Sequence, residues 1–187
     1  MKLYYTVSAG YDLPSTRPSN SIGGYQSSTM VQNDVYSAVF GEISLLAESK
    51  GSNEYIGLML VNDSDTDLNN LKFWFKDVEP PTQSVLEFAA VKPAIDENGN
   101  AFIERLATIN SRPQNITFSH PTEDSPANLG DMLAGASIGV WLHRKIDKDA
   151  AKEIYDNVAM RDPKNWYRYI PVKQAEFEGA ELNFVWD

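Results

Sequence analysis

A chain of 187 residues with 42% hydrophobic and 22% charged residues has the composition of an ordinary globular protein, which excludes wholesale disorder. The length suits one domain, or a sandwich of about 100 residues carrying long extensions, and the second is the expectation. A net charge of −10, with 16 Lys and Arg scattered along the chain, argues against a nucleic-acid surface, and the lack of cysteine excludes disulfides and thiolate metal sites.

The opening Met1-Lys2-Leu3-Tyr4-Tyr5 lacks the apolar core of a secretory signal, and no stretch approaches the roughly 20 apolar residues of a membrane span, so a cytosolic chain is expected. Leu3 to Val7 reads as a short strand. After it, to about residue 40, the chain turns polar, with Gly10, Pro14, Pro18, Gly23 and Gly24 among many Ser, Thr and Asn. Such a segment has little core to offer, and ordering each residue costs about 1–2 kcal/mol that only burial offsets. Residues 1–40 are therefore expected to form an extended arm, either a flexible tail or one that docks on another surface. In the docking case its isolated apolar residues, Tyr11, Leu13, Ile22, Tyr25, Met30 and Val31, make the contact.

From residue 41 onward a β-sandwich is expected. Tyr55-Ile56-Gly57-Leu58-Met59-Leu60-Val61 is short, apolar and bounded by polar turns, the pattern of a buried central strand. The turn-rich Asn62 to Asp67 leads into Leu71-Lys72-Phe73-Trp74-Phe75-Lys76, where Leu71, Phe73 and Phe75 share one face and Trp74 takes the other. Pro80-Pro81 interrupts, and Val85 to Val91 resumes the strand signal. Asn98-Gly99 predicts a hairpin with a type I′ turn, since both residues tolerate positive φ.

Ala101 to Leu106 and Ile116 to Phe118 are further candidate strands. Leu133-Ala134-Gly135 is a turn feeding the strand Ser137 to Leu142, in which Ile138, Val140 and Leu142 share a face. A chain crossing between the two sheets of a sandwich has this form. Near residue 149 the period changes: Ala151, Ile154, Tyr155 and Val158 follow helical spacing, Asp149 suits the N-cap, and Pro163 ends the helix. An aromatic loop with Trp166, Tyr167 and Tyr169 follows, and Leu182, Phe184 and Trp186 alternate in a final strand. Helix and loop form an insertion at about 148–180.

Little points to chemistry. Asp63, Asp65 and Asp67 have the spacing that begins an EF-hand loop. Counting from Asp63, however, the sixth position is Leu68 where Gly is needed, and the twelfth is Trp74 where a bidentate Glu is needed. A turn is expected there, with a weak calcium site as the alternative. His120 and His143 lie in no metal motif, and neither a nucleophile elbow nor a phosphate-cradling glycine loop occurs. No catalytic, cofactor-binding or metal-binding residue is assigned. The Trp166, Tyr167 and Tyr169 group suits packing on the sandwich, a protein contact or a carbohydrate platform.

Two segments resemble immunoglobulin-like modules of surface and virion proteins: Tyr55 to Phe75, and the Leu133-Ala134-Gly135 turn with Ser137 to Leu142. With Met1 to Tyr5, Ser21-Ile22-Gly23-Gly24-Tyr25, Phe40-Gly41-Glu42-Ile43-Ser44 and Phe184-Val185-Trp186-Asp187, the chain is similar to small structural proteins of tailed phages, the crAss-like group among them. The resemblance implies a mainly β, immunoglobulin-like sandwich and a non-enzymatic virion role in neck, tail, ring or capsid-decorating subunits. It implies assembly in the host cytoplasm and association with itself and with other virion proteins, without nucleic acid or membrane. Tyr11, Ile22, Tyr25, Met30, Trp166, Tyr167 and Tyr169 are the candidate contacts. A carbohydrate-binding or adhesion module using the Trp166, Tyr167 and Tyr169 loop is the alternative.

Overall fold

The computed structural model describes residues 1–15, 17–32, 39–40, 47, 50–77, 84–148 and 180–185. Within these, the chain is mainly β. Its strands are β1 (Lys2–Val7), β2 (Gly24–Met30), β3 (Ser52–Val61), β4 (Leu68–Asp77), β5 (Ser84–Val91), β6 (Ala94–Ile95), β7 (Ala101–Ile103), β8 (Ala127–Met132), β9 (Ser137–Ile146) and β10 (Ala180–Val185). They form a curled sheet in the order β5-β9-β3-β1-β2-β7-β6 and a smaller sheet in the order β10-β4-β8, with antiparallel pairing throughout.

The longest ladder of the large sheet is β3–β9, which runs unbroken from Ser52↔Ile146 to Val61↔Ser137. Both strands are buried on both faces, which explains why β3 reads as a continuous apolar run. Successive side chains alternate between two cores. Ile56, Leu58 and Leu60 of β3, with Val140 and Leu142 of β9, enter the first core, and Ile138 packs against it. Tyr55, Met59 and Trp141 enter the second.

The first core lies between the two sheets. Leu71, Phe73 and Phe75 of β4 share one face, as their alternation requires, and meet β3, β5 and β9 there. The Phe73 ring stacks on Phe88 of β5 at 4.0 Å between centroids, with Phe75 at 5.1 Å and Phe184 of β10 at 5.0 Å. The expected final strand is thus present. The side chain of Leu182 and all of Trp186 lie outside the described residues. The Leu133-to-Ala136 turn, with Gly135 at φ 73°, carries the chain from β8 in the small sheet to β9 in the large one, the crossing its sequence suggests.

The second core lies on the opposite face of β3 and β9, covered by Ile22, Ile103, Leu106, Ile116 and Phe118. Here two glycines make room. A Cβ on Gly57 would stand 3.0 Å from Trp141 Cη2 and from Ile103 Cδ1, and one on Gly139 would stand 2.3 Å from Ile103 Cγ2. A side chain at Gly57 would press on Trp141 and Ile103, and one at Gly139 would collide with Ile103 and Val91. Strand β7 ends at Ile103, and Ile116 to Phe118 contributes side chains to this core without forming a strand.

Residues 1–32 differ from the expected arm. Strand β1 sits between β3 and β2 inside the large sheet. Its pairing with β3 stops at Tyr5↔Leu58, which would strand the main-chain groups of Gly57. Instead Gly57 N–H donates to Ser21 O at 2.7 Å, and Gly57 O accepts from Thr6 Oγ1 at 2.8 Å and Ser21 Oγ at 2.6 Å. Ser21 Oγ also accepts from Thr6 N, and Thr6 Oγ1 accepts from Gly23 N. Thr6 and Ser21 are fully buried, so the small polar residues that look like a tail form a buried hydrogen-bonded knot.

The hairpin at Asn98-Gly99 also differs in its turn. Gly99 has φ 83°, whereas Asn98 has no positive φ. Strands β6 and β7 pair through Ala94↔Phe102 and Ile95↔Ala101, leaving residues 96–100 as the loop. The Asp96 carboxylate decides this, because its Oδ1 accepts from Asn98 N at 2.9 Å and from Asn100 N at 2.8 Å. The expected helix over 151–158, its Asp149 cap and the Trp166, Tyr167 and Tyr169 loop lie outside the described residues.

Candidate interaction surface

The four candidate contacts near the N-terminus separate into two pairs. Ile22 and Tyr25 are used inside the molecule. Ile22 packs against the second core, and its carbonyl accepts from Leu106 N at 2.8 Å. Tyr25 pairs with Phe102 in the β2–β7 ladder, and their rings lie 5.5 Å apart between centroids. The Asp96 carboxylate is held below its usual range, first by the Asn100 backbone N–H and then by the Asn100 side chain, Asn98 N and Tyr25, against an opposing effect of burial. Tyr25 therefore fastens the β6–β7 hairpin to β2.

Tyr11 and Met30, by contrast, are exposed at 47% and 46%, with Leu13 at 43%. Met30 is the last residue of β2, and Tyr11 and Leu13 lie in the segment that runs beside that strand. Strand β7 covers only Gly24 and Tyr25 of that edge. Beyond it Asp12 N donates to Gln26 O at 2.9 Å, Ser28 N donates to Leu13 O at 3.1 Å and Ser15 N donates to Thr29 Oγ1 at 3.0 Å. The backbone of residues 12–15 thus blunts the β2 edge while leaving large apolar side chains in water. Exposed Leu133 and Ile95 lie elsewhere, in the β8–β9 turn and in β6. Their exposure follows from tertiary position, and sequence reasoning did not single out either as a contact.

Among the described residues, the buried side chains of His143 and Arg144, and two of the aspartates at 63–67, are engaged in internal bonds. His143 is buried and stacks on Tyr55 at 4.5 Å between ring centroids. Its Nδ1 meets Glu87 Oε2 at 2.6 Å and its Nε2 meets Asn53 Oδ1 at 2.9 Å, so both ring nitrogens are occupied. Arg144, one residue on and therefore on the opposite face, is buried with its Nε and Nη2 on Glu54 Oε2 at 2.9 and 2.6 Å. The Phe40 ring lies 4.8 Å from its guanidinium carbon.

In the Asp63-Asp65-Asp67 turn, Asp63 pairs with the Met1 amino group at 2.6 Å and with Lys2 Nζ at 2.8 Å. The Lys2 hydrogen bond, followed by that of the amino terminus, holds the Asp63 pKa down to about 2. Asp67 Oδ1 accepts from Ala134 N at 2.8 Å, and the buried Asn62 amide donates to Thr66 O, Met132 O and Leu133 O. The three aspartates thus sit on a hydrogen-bonded turn, two of them with partners that a cation would have to displace. Among the described residues, no group of three or more His, Asp or Glu is placed to hold a metal ion.

An open surface depression of about 660 Å³ is lined by residues 112–117 and contains no carboxylate or imidazole. Among the described residues, no helix is long and apolar enough to cross a membrane. No protein-family model matches the chain, and neither a curated protein nor a solved structure is similar enough to it to count as a match.

Proposed function

We propose that the chain is a non-enzymatic structural subunit: an immunoglobulin-like sandwich that self-associates and contacts neighbouring subunits in the neck, tail or portal-proximal rings of a tailed-phage virion. The observation that carries the reading is the exposure of Tyr11, Leu13 and Met30, three large apolar side chains left in water on strand β2 or on the segment that Asp12 and Leu13 tie to its edge by backbone hydrogen bonds. A contact built on fixed backbone loses little conformational freedom on binding, so its burial converts into affinity with a small entropic cost. Two further features support a structural role. His143, Arg144 and Asp63 are consumed by intramolecular partners, and the two sheets share one aromatic core of the kind that makes a stiff spacer.

The test is the mass of the full chain in solution by light scattering and sedimentation, followed by electron microscopy of any assembly. The proposal expects concentration-dependent oligomers that weaken at least tenfold when Tyr11, Leu13 and Met30 are replaced by Ser, with unchanged circular dichroism. Because the net charge of −10 opposes association, added salt should strengthen it. A chain that stays monomeric at high concentration in salt, and that electron microscopy finds in no particle, refutes the reading.

A further inference from the structure

Asn98-Gly99 is the one Asn-Gly pair in the chain, and it stands at the tip of the β6–β7 hairpin. Both residues are exposed. The Asn98 carboxamide makes no hydrogen bond to another described residue, unlike that of Asn100, whose Nδ2 lies 3.3 Å from Asp96 Oδ2, or that of Asn110, whose Nδ2 donates to Ser52 Oγ and Asn53 O. The position a Cβ would take on Gly99 has no atom within 4 Å apart from its chain neighbours, so no more distant residue packs over the Asn98-Gly99 bond on that side. Asn20, by contrast, precedes the fully buried Ser21.

We infer that Asn98 is a site of spontaneous covalent modification, closing through the Gly99 nitrogen to a cyclic imide that opens to aspartate and isoaspartate. The Gly99 amide gives its proton to solvent base, and its nitrogen attacks Cγ of Asn98. The new N–Cγ bond forms as Cγ–Nδ2 breaks, and Nδ2 leaves as ammonia with a proton taken from water. Water then opens the ring. Cleavage at Cγ yields aspartate, and cleavage at the main-chain carbonyl yields isoaspartate. Water is the only co-reactant, and no electrons are transferred.

One feature of the turn opposes the reaction. Gly99 N–H donates to Asp96 O at 3.1 Å, and this bond must open before the nitrogen can attack. A hydrogen bond of ordinary net strength slows the folded chain about fivefold relative to a free peptide. The outcome then matters for the hairpin. Isoaspartate adds a methylene to the backbone between residues 98 and 99, so Asn98 N, Asn100 N and Gly99 N can no longer all reach Asp96. It also sets a new carboxylate beside Asp96 and Glu97. With only two residue pairs in the β6–β7 ladder, the modified hairpin has little else to hold it closed.

The experiment ages the full chain in mildly alkaline buffer and follows every Asn by peptide mass mapping, with isoaspartate resolved by enzymatic methylation. A synthetic peptide of residues 94–103 is aged in parallel. Asn98 is expected to convert first in the folded chain, about fivefold more slowly than in the peptide. An Asn98→Ser variant is expected to release no early ammonia. Conversion of any other Asn ahead of Asn98 in the folded parent overturns the inference, and this comparison needs no variant to fold.

Discussion

Replacing Phe73 by Ala tests whether the two sheets share one interior. Phe73 sits mid-strand in β4 of the small sheet with no exposed surface, and its ring contacts Phe88 of the large sheet and Phe75 and Phe184 of its own. Truncating a buried Phe loses its transfer free energy and leaves a cavity, at a combined cost of about 3–5 kcal/mol. Total stabilities of about 5–15 kcal/mol make this a large fraction. Trp74, the next residue, is half-buried on the other face, and its truncation should cost less although its side chain is larger. Equilibrium urea unfolding of both variants measures the difference as a shift in midpoint at constant slope. The double variant Phe73→Ala/Phe88→Ala sharpens the test, because a pair stacked across two sheets should show a coupling energy of about 0.5–3 kcal/mol. Additive single losses, or a Trp74→Ala loss exceeding that of Phe73→Ala, would refute the shared core.

Two further outcomes are expected. Ser21→Ala removes the acceptor of the buried Thr6 N–H and one donor to Gly57 O, and should cost about 1–3 kcal/mol by urea unfolding; a loss near zero would mean that the knot does not hold β1 in the sheet. For Asp63 the folded pKa of about 2 lies below the ordinary value of 3.8, so its contribution to stability is complete above that ordinary value and is lost as the pH falls through it toward about 2. The Asp63→Asn variant should therefore show a shallower fall of the unfolding midpoint with acid over that window, and identical slopes in parent and variant would contradict the pairing.

The candidate surface was legible only in part. Tyr11 and Met30 stand out in the sequence as large apolar residues in polar surroundings, and both are exposed. Ile22 and Tyr25 look the same in sequence, yet one packs on the second core and the other fastens a hairpin, because the partners that claim them lie about 80 residues downstream. Leu133 shows why exposure is hard to read locally: it precedes a turn whose burial depends on which sheet each flanking strand joins.

The sequence by itself determined what local periodicity encodes. The runs at 55–61, 71–75 and 138–142 became strands because alternation and apolar content bias both backbone conformation and the face each side chain takes. Tertiary structure decided what depends on partners distant in the chain. It drew residues 1–7 and 24–30 into the large sheet, since Ser21 and Thr6 reach the Gly57 carbonyl only once the chain folds back across sequence separations of 36 and 51. A hydroxyl that reads as solvent-loving in sequence stabilises an interior when a buried carbonyl needs a donor, and that need exists only in the assembled sheet.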